Sequence, residues 1–473
     1  MGEESVFDGL RPLSGPDDLR LASLCAAVPG AVERDPELLA TLGGDRSIVE
    51  PVTPGAAVLA RDIATISATM AWAHEHRVPV TVRGAGSGKA GGCVPTAGAL
   101  VLSVAPMDAI LEVRPDHGYA EVEPGVVTGL FRETMEVDHR LYYPPDPASL
   151  DWCTLGGNVA TNAGGPVALK YGVTGRFVMG LTLVLADGRV IETGRRQPKD
   201  VAGYDLTSLL VGSEGTLAVI AGVRLSLLPV PTEVCTALLG FSTLGAAAAA
   251  LVDARRAGVL PRAMELVDPV AMQRVRASWE HPGEPFGVPG AEALLLLELD
   301  GPEGSTESSL QAFLGGLRTP PDWVRRADTP QERGELWATR REMSGRVKRG
   351  AAGWVTEDIA VPLGSMPDVI AQLGPIGERH GLQIATYGHA GDGNLHVNVL
   401  WDEVEGAGRS MAAVDEVMAL ALGVGGTVTG EHGVGRAKRR WLGQQMGSTA
   451  LDLQRQMKRT WDPRGILNPG VGL

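Results

Sequence analysis

The spacing of apolar and polar residues divides the chain near Pro229. Before it, apolar positions recur at helical spacing between Asp62 and His76 and lead into a β-branched strand at 78–83. The pair Asp187-Gly188 is a strong hairpin signal between two later strands. The other elements predicted for this half are strands at 99–104, 179–186, 189–193 and 217–228, a hairpin around 116–118 and a helix near 127–140. Together they predict an α+β domain.

A strand–helix–strand pattern then occurs twice. TALLGFS and RAMELV flank a helix predicted at Leu244–Ala257, and ALLLLELD and WVRRADT flank another at Ser305–Leu317. Two such units in tandem predict a ferredoxin-like antiparallel domain. A helix from Thr329 to Lys348 and two strands around the Asp392-Gly393 turn follow. Because ligands favour domain interfaces, we expect this half to cap a ligand site on the first half.

Composition narrows the function classes. The 473 residues suffice for two large domains or about three of ordinary size, and the net charge of −14 argues against a nucleic-acid partner. An acidic N-terminus does not resemble a signal peptide, and no apolar run approaches the length of a membrane span. The four cysteines lack disulfide or zinc-site spacing. We therefore expect a cytoplasmic protein without transmembrane segments, with peripheral membrane attachment left open.

Two glycine-rich stretches are candidates for ligand binding. TLGGNVATNAGG, Thr154–Gly165, is predicted as a loop whose glycines let the backbone approach a flat, polar-edged cofactor. RGAGSGKAGGCVP, Arg83–Pro95, lacks the residues of a Walker phosphate loop at both ends. It matches GxGxxG, but a strand instead of a helix follows. We favour a third interpretation, a nest of backbone N–H groups that holds a pyrophosphate.

These stretches, with PPDPAS, KDVAGYDL and VGSEGTLAVI, resemble the FAD-binding half of the vanillyl-alcohol-oxidase (PCMH-type) superfamily. From about Pro51 to Pro469 the chain is similar to its D-2-hydroxy-acid dehydrogenases, which include D-lactate dehydrogenase and the flavin subunit of glycolate oxidase. The resemblance implies an α+β fold with a two-lobed FAD-binding domain, a ferredoxin-like cap and a C-terminal helical segment. The domains it implies are an N-terminal helical segment at 1–50, an FAD-binding domain at 51–229, a substrate-binding cap at 230–429, and a segment at 430–473 that returns to the FAD domain.

The resemblance also implies non-covalent FAD, since the first glycine stretch contains no histidine for a tether. Asn468 corresponds to an FAD-contacting asparagine, whereas Val471 replaces a lysine that is usual in the family. The full set of predicted cofactor-binding residues is Arg83, Gly84, Ala85, Gly86, Ser87, Gly88, Lys89, Pro147, Thr154, Gly156, Gly157, Asn158, Thr161, Asn162, Gly164, Gly165, Glu214, Gly215, Ile220 and Asn468.

A substrate carboxylate needs a cation, and the helix at 329–348 offers one. Arg340, Ser344 and Lys348 are spaced by four and share a face, which is either a solvated basic face or a binding face. A guanidinium matches a carboxylate with two parallel hydrogen bonds. In the family the arginine three positions after a tryptophan binds the substrate carboxylate, which implies Arg340, with Ser344 beside it. Thr356 or Glu357 stands where some relatives carry a second cation, which disfavours 2-hydroxyglutarate.

The stretch YGHAGDGNLHVNVLWD and the later GEHGVG suggest a metal site. His389 and His396 can converge from the two sides of a turn, and Asn398 shares a face with His396. Two imidazoles and a carboxylate, here Glu431, leave a metal position open for substrate. The resemblance implies that these three residues bind a divalent metal, commonly zinc, and that Asn398 contacts substrate. An extended backbone would point Glu431 and His432 apart, which favours His432 as the base, and the alternative of His432 as a fourth metal ligand stays open.

The expected reaction is oxidation of a small D-2-hydroxy acid, of the D-lactate or glycolate type, by hydride transfer to FAD N5. Arg340 and His432 would be the catalytic residues, with the metal acting as a Lewis acid on the hydroxyl. Two alternatives stay open: a non-catalytic flavin-binding or electron-transfer subunit, and a metal-dependent hydrolase. The expected partners are the substrate and an electron acceptor, either a quinone, a cytochrome, an electron-transfer flavoprotein or oxygen. The chain could form a homodimer or act as the flavin subunit of a complex.

Overall fold

The computed structural model describes residues 9–197, 199–288 and 293–473. The first eight residues of the predicted N-terminal segment lie outside that range. The described strands are β1 (Val32–Glu33), β2 (Ala56–Leu59), β3 (Val80–Arg83), β4 (Leu100–Ser103), β5 (Ile110–Arg114), β6 (Tyr119–Val122), β7 (Leu141–Tyr142), β8 (Val178–Val184), β9 (Val190–Gly194), β10 (Val219–Ser226), β11 (Leu228–Pro229), β12 (Glu233–Phe241), β13 (Ala263–Val267), β14 (Ala293–Gly301), β15 (Trp323–Ala327), β16 (Gly353–Ala360), β17 (Gln383–Gly388) and β18 (Asn394–Trp401).

The described α-helices are α1 (Leu21–Ala27), α2 (Pro36–Thr41), α3 (Ile63–His76), α4 (Thr128–His139), α5 (Leu155–Thr161), α6 (Ala168–Tyr171), α7 (Leu206–Leu210), α8 (Leu244–Arg256), α9 (Pro269–Ala277), α10 (Ser305–Gly316), α11 (Pro330–Arg346), α12 (Met366–His380), α13 (Ala407–Gly423), α14 (Arg439–Met446) and α15 (Ser448–Trp461). None of the helices among these residues is both long and apolar enough to cross a membrane.

The chain forms two compact units. The first contains the described residues of Met1–Gly164, Val173–Val230 and Glu431–Leu473, and the second contains those of Gly165–Gly172 and Pro231–Gly430.

The first unit contains two main sheets. One has the order β1-β2-β4-β3, with β2 and β3 parallel to β4, and the other is antiparallel in the order β5-β6-β10-β8-β9. The N-terminal segment contributes the edge strand β1, and its Leu21 and Leu24 are fully buried in the core beside the first sheet. The first sheet therefore includes residues that the sequence alone could not place.

Local signals explain the main helix of this unit. Asp62 caps the N-terminus of α3 by accepting a hydrogen bond from the Thr65 amide, and Arg77 ends it in the left-handed conformation. Ile66, Met70 and Ala73 of this helix lie on one face and are buried, as their helical spacing predicts. The predictions of the α4 helix and of both hairpins are confirmed as well.

One local prediction was wrong. The stretch Thr154–Gly165 is not a loop throughout, because Leu155–Thr161 forms α5, whose N-cap Thr154 accepts a hydrogen bond from the Gly157 amide. Asn162 then ends the helix with φ of 52°. Glycine disfavours helix interiors by only about 1 kcal/mol per residue, so a good cap and buried apolar residues can outweigh it.

The C-terminal residues complete the first unit. Leu467 forms a parallel bridge with Val80 at the free edge of β3. The Asn468 side chain accepts a hydrogen bond from the Val82 amide at 2.8 Å and donates one to the Glu214 carbonyl at 2.6 Å. The last residues of the chain are thus joined to residues more than 200 positions earlier, in the unit that contains the glycine-rich stretches.

The second unit is built on a seven-stranded antiparallel sheet, counted over the described residues, in the order β15-β12-β14-β13-β17-β18-β16. Its first four strands, with α8 and α10, have the ferredoxin-like order that the two strand–helix–strand units predict. The helix α11 begins at a capping box formed by Thr329 and Glu332.

The short segment Gly165–Gly172 also belongs to the second unit. Lys170 and Tyr171 both bind the carboxylate of Asp300, which is fully buried at the end of β14, and the Tyr171 hydroxyl donates at 2.5 Å. Lys170 also donates to the Asp300 carbonyl at 2.8 Å. These bonds compensate a buried charge and fix the segment to the sheet.

Candidate functional site

One cavity in the first unit gathers both glycine-rich stretches. It is lined mainly by glycine, alanine, serine and threonine, whose short side chains leave backbone groups accessible. All the predicted cofactor-binding residues except Arg83, Asn162 and Gly165 line it. The lining residues among that set are Gly84, Ala85, Gly86, Ser87, Gly88, Lys89, Pro147, Thr154, Gly156, Gly157, Asn158, Thr161, Gly164, Glu214, Gly215, Ile220 and Asn468.

Glycine is required where the two stretches meet. A Cβ on Gly84 would lie 2.5 Å from the Thr154 hydroxyl oxygen, which is closer than unbonded atoms approach. Gly86 has φ of +76°, a conformation that residues with a Cβ adopt at a cost, and a Cβ there would meet the Arg83 guanidinium. The backbone of the first stretch can therefore pack closely against the start of α5 and still leave room for a flat ligand.

Three predicted cofactor-binding residues do not line the cavity. The Arg83 side chain donates to the Gly44 carbonyl at 2.7 Å, and it holds the N-terminal segment in place and does not line the cavity. The Asn162 side chain accepts a hydrogen bond from the Gly175 amide at 2.8 Å. Gly165 falls in the second unit. Sequence position beside a glycine loop did not distinguish residues that line the cavity from residues that support it.

Glu214 connects the cavity to the C-terminal segment. Its carboxylate accepts hydrogen bonds from the amides of Val434 and Gly435 at 2.6 and 2.7 Å. Burial raises the pKa of Glu214 above its ordinary value, while the two amides oppose that shift. Glu214 also has φ of 51°, so its backbone is in the left-handed region. The left-handed backbone and the two hydrogen bonds of the buried carboxylate together fix the conformation of the chain at Glu214.

The cavity includes residues that the sequence did not suggest. Asp45, from the N-terminal segment, lines it, and its side chain accepts a hydrogen bond from the Cys93 amide at 3.4 Å. Cys93 lines it too, and burial raises the pKa of its thiol to about 11, which keeps it neutral. Lys89 lines the same cavity with an exposed side chain. No pattern around Asp45 marked it beforehand.

Glu431 and His432 line the same cavity. The extended backbone on which the sequence argument for separate roles depended is not present at these two residues, and His432 Nε2 lies 3.8 Å from Glu431 Oε1. A Cβ on Gly164 would come within 3.1 Å of Glu431 Oε2, so Gly164 makes room for this carboxylate. The predicted base and the predicted carboxylate ligand are thus both in the lining of the glycine-rich cavity.

A separate cluster of charged residues is buried in the second unit. Glu265 on β13 is fully buried, and its Oε1 lies 2.6 Å from His389 Nδ1. Its Oε2 accepts a hydrogen bond from Arg340 Nε at 2.7 Å and lies 2.5 Å from Arg340 Nη2. Arg340 is itself buried, so the interpretation of Arg340 as part of a solvated basic face was wrong.

The neighbouring charges determine the protonation state of Glu265. Burial alone would raise the pKa of Glu265, but the charges and hydrogen bonds of Arg340 and His389 lower it to about 2. The ionised carboxylate only accepts hydrogen bonds, so His389 donates its Nδ1–H to it. The lone pair of His389 is then on Nε2, which is the arrangement found in metal-binding histidines supported by a carboxylate.

His389 and His396 converge as the turn at Asp392-Gly393 predicts. The rings lie with their centroids 5.1 Å apart, nearly perpendicular, and both side chains are buried. Asp358 on β16 pairs with His396 across the sheet, and its Oδ1 lies 3.9 Å from His396 Nδ1. Asp358 also accepts a hydrogen bond from the amide of Gly430, the residue before Glu431. The sequence analysis assigned no role to Glu265 or Asp358, although Glu265 is a lone acidic residue inside the apolar strand β13.

The two other predicted substrate-binding residues differ in their surroundings. Asn398 is fully buried, and it accepts a hydrogen bond from the Thr356 hydroxyl and donates to the Ala385 carbonyl. A substrate contact at Asn398 would have to share these bonds. Ser344 is half-buried one turn after Arg340 and accepts a hydrogen bond from Lys348 at 3.4 Å.

Comparison with known proteins identifies the class. Residues 54–194 match the family model of the FAD binding domain, and residues 230–471 match that of the C-terminal domain of FAD linked oxidases. Among solved structures, p-cresol methylhydroxylase with substrate bound has a TM-score of 0.80 at 18% identity, covering 98% of this chain and 97% of that one. A 4-ethylphenol oxidase from Gulosibacter chungangensis, in complex with isoeugenol, has a TM-score of 0.76 at 18% identity and covers 97% and 98% of the two chains. The protein is an FAD-linked oxidoreductase with the vanillyl-alcohol-oxidase (PCMH-type) fold, as predicted.

Curated relatives specify the family. The glycolate oxidase subunit GlcD of Bacillus subtilis is 37% identical over 424 residues, which is 88% of each chain. The D-lactate dehydrogenase of Archaeoglobus fulgidus is 35% identical over 409 residues, covering 86% of this chain and 88% of the relative. The chain belongs to the FAD-linked oxidase family that contains these enzymes.

Proposed function

We propose that this enzyme oxidises a small D-2-hydroxy acid, of the D-lactate or glycolate type, to the corresponding 2-oxo acid. The names of the relatives support a 2-hydroxy-acid substrate. The observation that supports the proposal is the buried group of Arg340, Glu265, His389 and His396, which places a cation able to bind a carboxylate near two side chains able to bind a metal.

Arg340 binds the substrate carboxylate in this proposal. Glu265 occupies the edge of the guanidinium that carries Nε and Nη2, which leaves the edge carrying Nη1 for a second carboxylate. The Tyr387 ring, whose centre is 4.8 Å from the guanidinium carbon, further restricts its orientation. A guanidinium fixed on one edge loses little conformational entropy when it binds substrate on the other.

The donor set fits a divalent metal, for which zinc is our choice. His389 offers Nε2 because Glu265 holds its Nδ1–H, and His396 lies beside it. Glu431, which follows Gly430 directly, is the proposed third ligand. When bound, such a metal lowers the pKa of a coordinated hydroxyl group as a Lewis acid.

His432 accepts the proton of the substrate hydroxyl in this proposal. It lines the glycine-rich cavity, which fits a flat cofactor because residues without long side chains form most of its lining. Bound FAD supplies the acceptor of the C2 hydride at its N5 position. Arg340 orients the substrate, and the buried surroundings of Arg340, His389 and His396 exclude water from that part of the site.

The electron acceptor that reoxidises the flavin is a quinone, a cytochrome, an electron-transfer flavoprotein or oxygen. Because the Bacillus subtilis relative is named a subunit, association with further chains is part of the proposal.

Anaerobic mixing of the FAD-loaded enzyme with D- and L-lactate, glycolate and D-2-hydroxyglutarate tests this function. We expect D-lactate or glycolate to bleach the visible flavin absorbance, and L-lactate and D-2-hydroxyglutarate to leave it unchanged. Stoichiometric flavin that none of these acids reduces would favour the electron-transfer subunit. A colourless protein that hydrolyses an ester or amide after metal loading would favour the hydrolase.

A further inference from the structure

Glu265 in the second unit contacts both the proposed carboxylate-binding residue and a proposed metal ligand. It is the one charged residue of β13, it is fully buried, and both its oxygens are used. Oε1 binds His389, and Oε2 binds Arg340. His389 directly follows β17, whereas Arg340 lies on α11, so the two partners come from different elements of the unit.

We propose that Glu265 is a positioning residue that fixes the carboxylate-binding group and the metal-binding group of the site in one mutual geometry. The inference rests on the proposed function, in which Arg340 binds the substrate carboxylate and His389 binds the metal. Since the hydroxyl and carboxylate of a 2-hydroxy acid are on adjacent carbons, the two binding groups must keep a fixed separation. One rigid carboxylate that bonds both supplies that constraint.

The chemistry of the contacts makes a carboxylate necessary. His389 Nδ1–H and the Nε–H of Arg340 are both donors, so each oxygen of Glu265 must accept. A glutamine has one acceptor oxygen and would turn its amide N–H₂ against either His389 or Arg340. If the amide faces His389, the ring must change tautomer to accept at Nδ1, which places a proton on the proposed metal-binding Nε2.

The test measures metal binding in the absence of turnover. Full-length, FAD-loaded wild type and Glu265→Gln are stripped with a chelator, and Zn²⁺ binding is measured by calorimetry. We expect the variant to bind Zn²⁺ about 10–100-fold more weakly, the usual effect of removing a carboxylate behind a histidine ligand. We also expect its KM for the 2-hydroxy acid to rise, while its flavin spectrum stays that of the wild type.

Glu298→Gln is the matched control. Glu298 is a buried glutamate on the neighbouring strand β14, and it accepts hydrogen bonds from Thr236 and Trp337. Its replacement disturbs the same sheet and leaves both hydrogen bonds of Glu265 in place, so the Zn²⁺ affinity should match the wild type. If both variants lose Zn²⁺ affinity equally, the effect of Glu265 is general destabilisation, and the proposal is wrong.

Glu265→Asp provides a second variant should the glutamine protein not fold. The aspartate keeps the charge but is one methylene shorter, so it cannot reach both partners at 2.6 and 2.7 Å. We expect Zn²⁺ affinity to fall if the aspartate loses its bond to His389, and KM to rise if it loses its bond to Arg340. Wild-type values for both in Glu265→Asp and Glu265→Gln would overturn the inference. Wild type that binds Zn²⁺ but reduces no 2-hydroxy acid would instead overturn the proposed substrate.

Discussion

The guanidinium carbon of Arg340 lies 4.8 Å from the centre of the Tyr387 ring, and its Nε donates to the buried Glu265. The Tyr387 ring thus packs on one face of the guanidinium, and Glu265 binds one of its edges. We predict that Arg340→Lys raises KM for the 2-hydroxy acid about 10–100-fold, because lysine cannot replace a charged hydrogen bond that contributes roughly 1.5–3 kcal/mol. Steady-state kinetics would measure the change.

The lysine variant is preferable to a neutral one. A neutral residue in place of Arg340 would leave the buried Glu265 carboxylate without its cation, which costs roughly 3–5 kcal/mol. The variant would then lose stability as well as substrate binding, and the two effects could not be separated. Arg341→Lys, on the next and exposed position of α11, is the control and should keep the wild-type KM. An unchanged KM in Arg340→Lys would remove Arg340 from substrate binding.

His432 is expected to affect the chemical step and not cofactor binding. A general base contributes about 10²–10⁴-fold to rate, so we predict that His432→Gln slows anaerobic flavin reduction by that factor. Glutamine keeps a similar volume and a polar end, so FAD content should remain that of the wild type. His380→Gln, at a half-buried histidine that binds Glu416, is the control and should react normally. Fast reduction of the His432 variant would mean that another group takes the proton.

Sequence patterns predicted most of the fold because they depend on local spacing. The helix at 62–76, the hairpin at Asp187-Gly188 and the ferredoxin-like strand order follow from periodicity and turn residues. The helix α5 was missed because glycine suggests a loop, whereas a threonine cap and buried packing decided the outcome.

The supporting residues of the site could not be predicted in the same way. Glu265 and Asp358 can be recognised as part of the site only from the folded structure. Strand pairing brings them beside His389 and His396, which are more than 30 residues away in sequence. Asp45 lies in a segment whose short helical patterns carried no chemical signal. A lone acidic residue in an apolar strand, as in AMELV, is the signal that could have identified Glu265.

Gly84 is expected to be necessary for cofactor binding. A Cβ at this position would lie 2.5 Å from the Thr154 hydroxyl, which caps α5. Overpacking of this kind costs roughly 1–3 kcal/mol, so we predict that Gly84→Ala weakens FAD binding about tenfold or more. Fluorescence titration of the apoprotein would measure it. Gly92→Ala is the control, because a Cβ on this cavity-lining glycine meets no protein atom within 4 Å. Equal loss of FAD in both variants would indicate contact with the cofactor itself and not a clash within the protein.

Asp268 is expected to make stability depend on pH. It caps α9 by accepting a hydrogen bond from the Ala271 amide at 2.6 Å and also accepts from Thr386 at 2.7 Å. Complete burial raises its pKa to about 7, although these bonds oppose the shift. The folded pKa exceeds the unfolded value of about 3.9, so the native state binds the proton more tightly. Its stabilising contribution is therefore fully present below pH 4 and is lost as the pH rises through about 7.

Thermal midpoints of the wild type and Asp268→Asn measure this contribution. Other titrating groups affect both proteins alike, so we predict that the advantage of the wild type over the variant decreases between pH 5 and pH 8. Asp62→Asn is the contrasting control, because the Thr65 amide lowers the pKa of Asp62, the exposed cap of α3. That carboxylate stays ionised throughout the same interval, so its difference from the wild type should not change. A constant difference for Asp268→Asn as well would show that Asp268 is already ionised at pH 5 and that its two amide donors outweigh its burial.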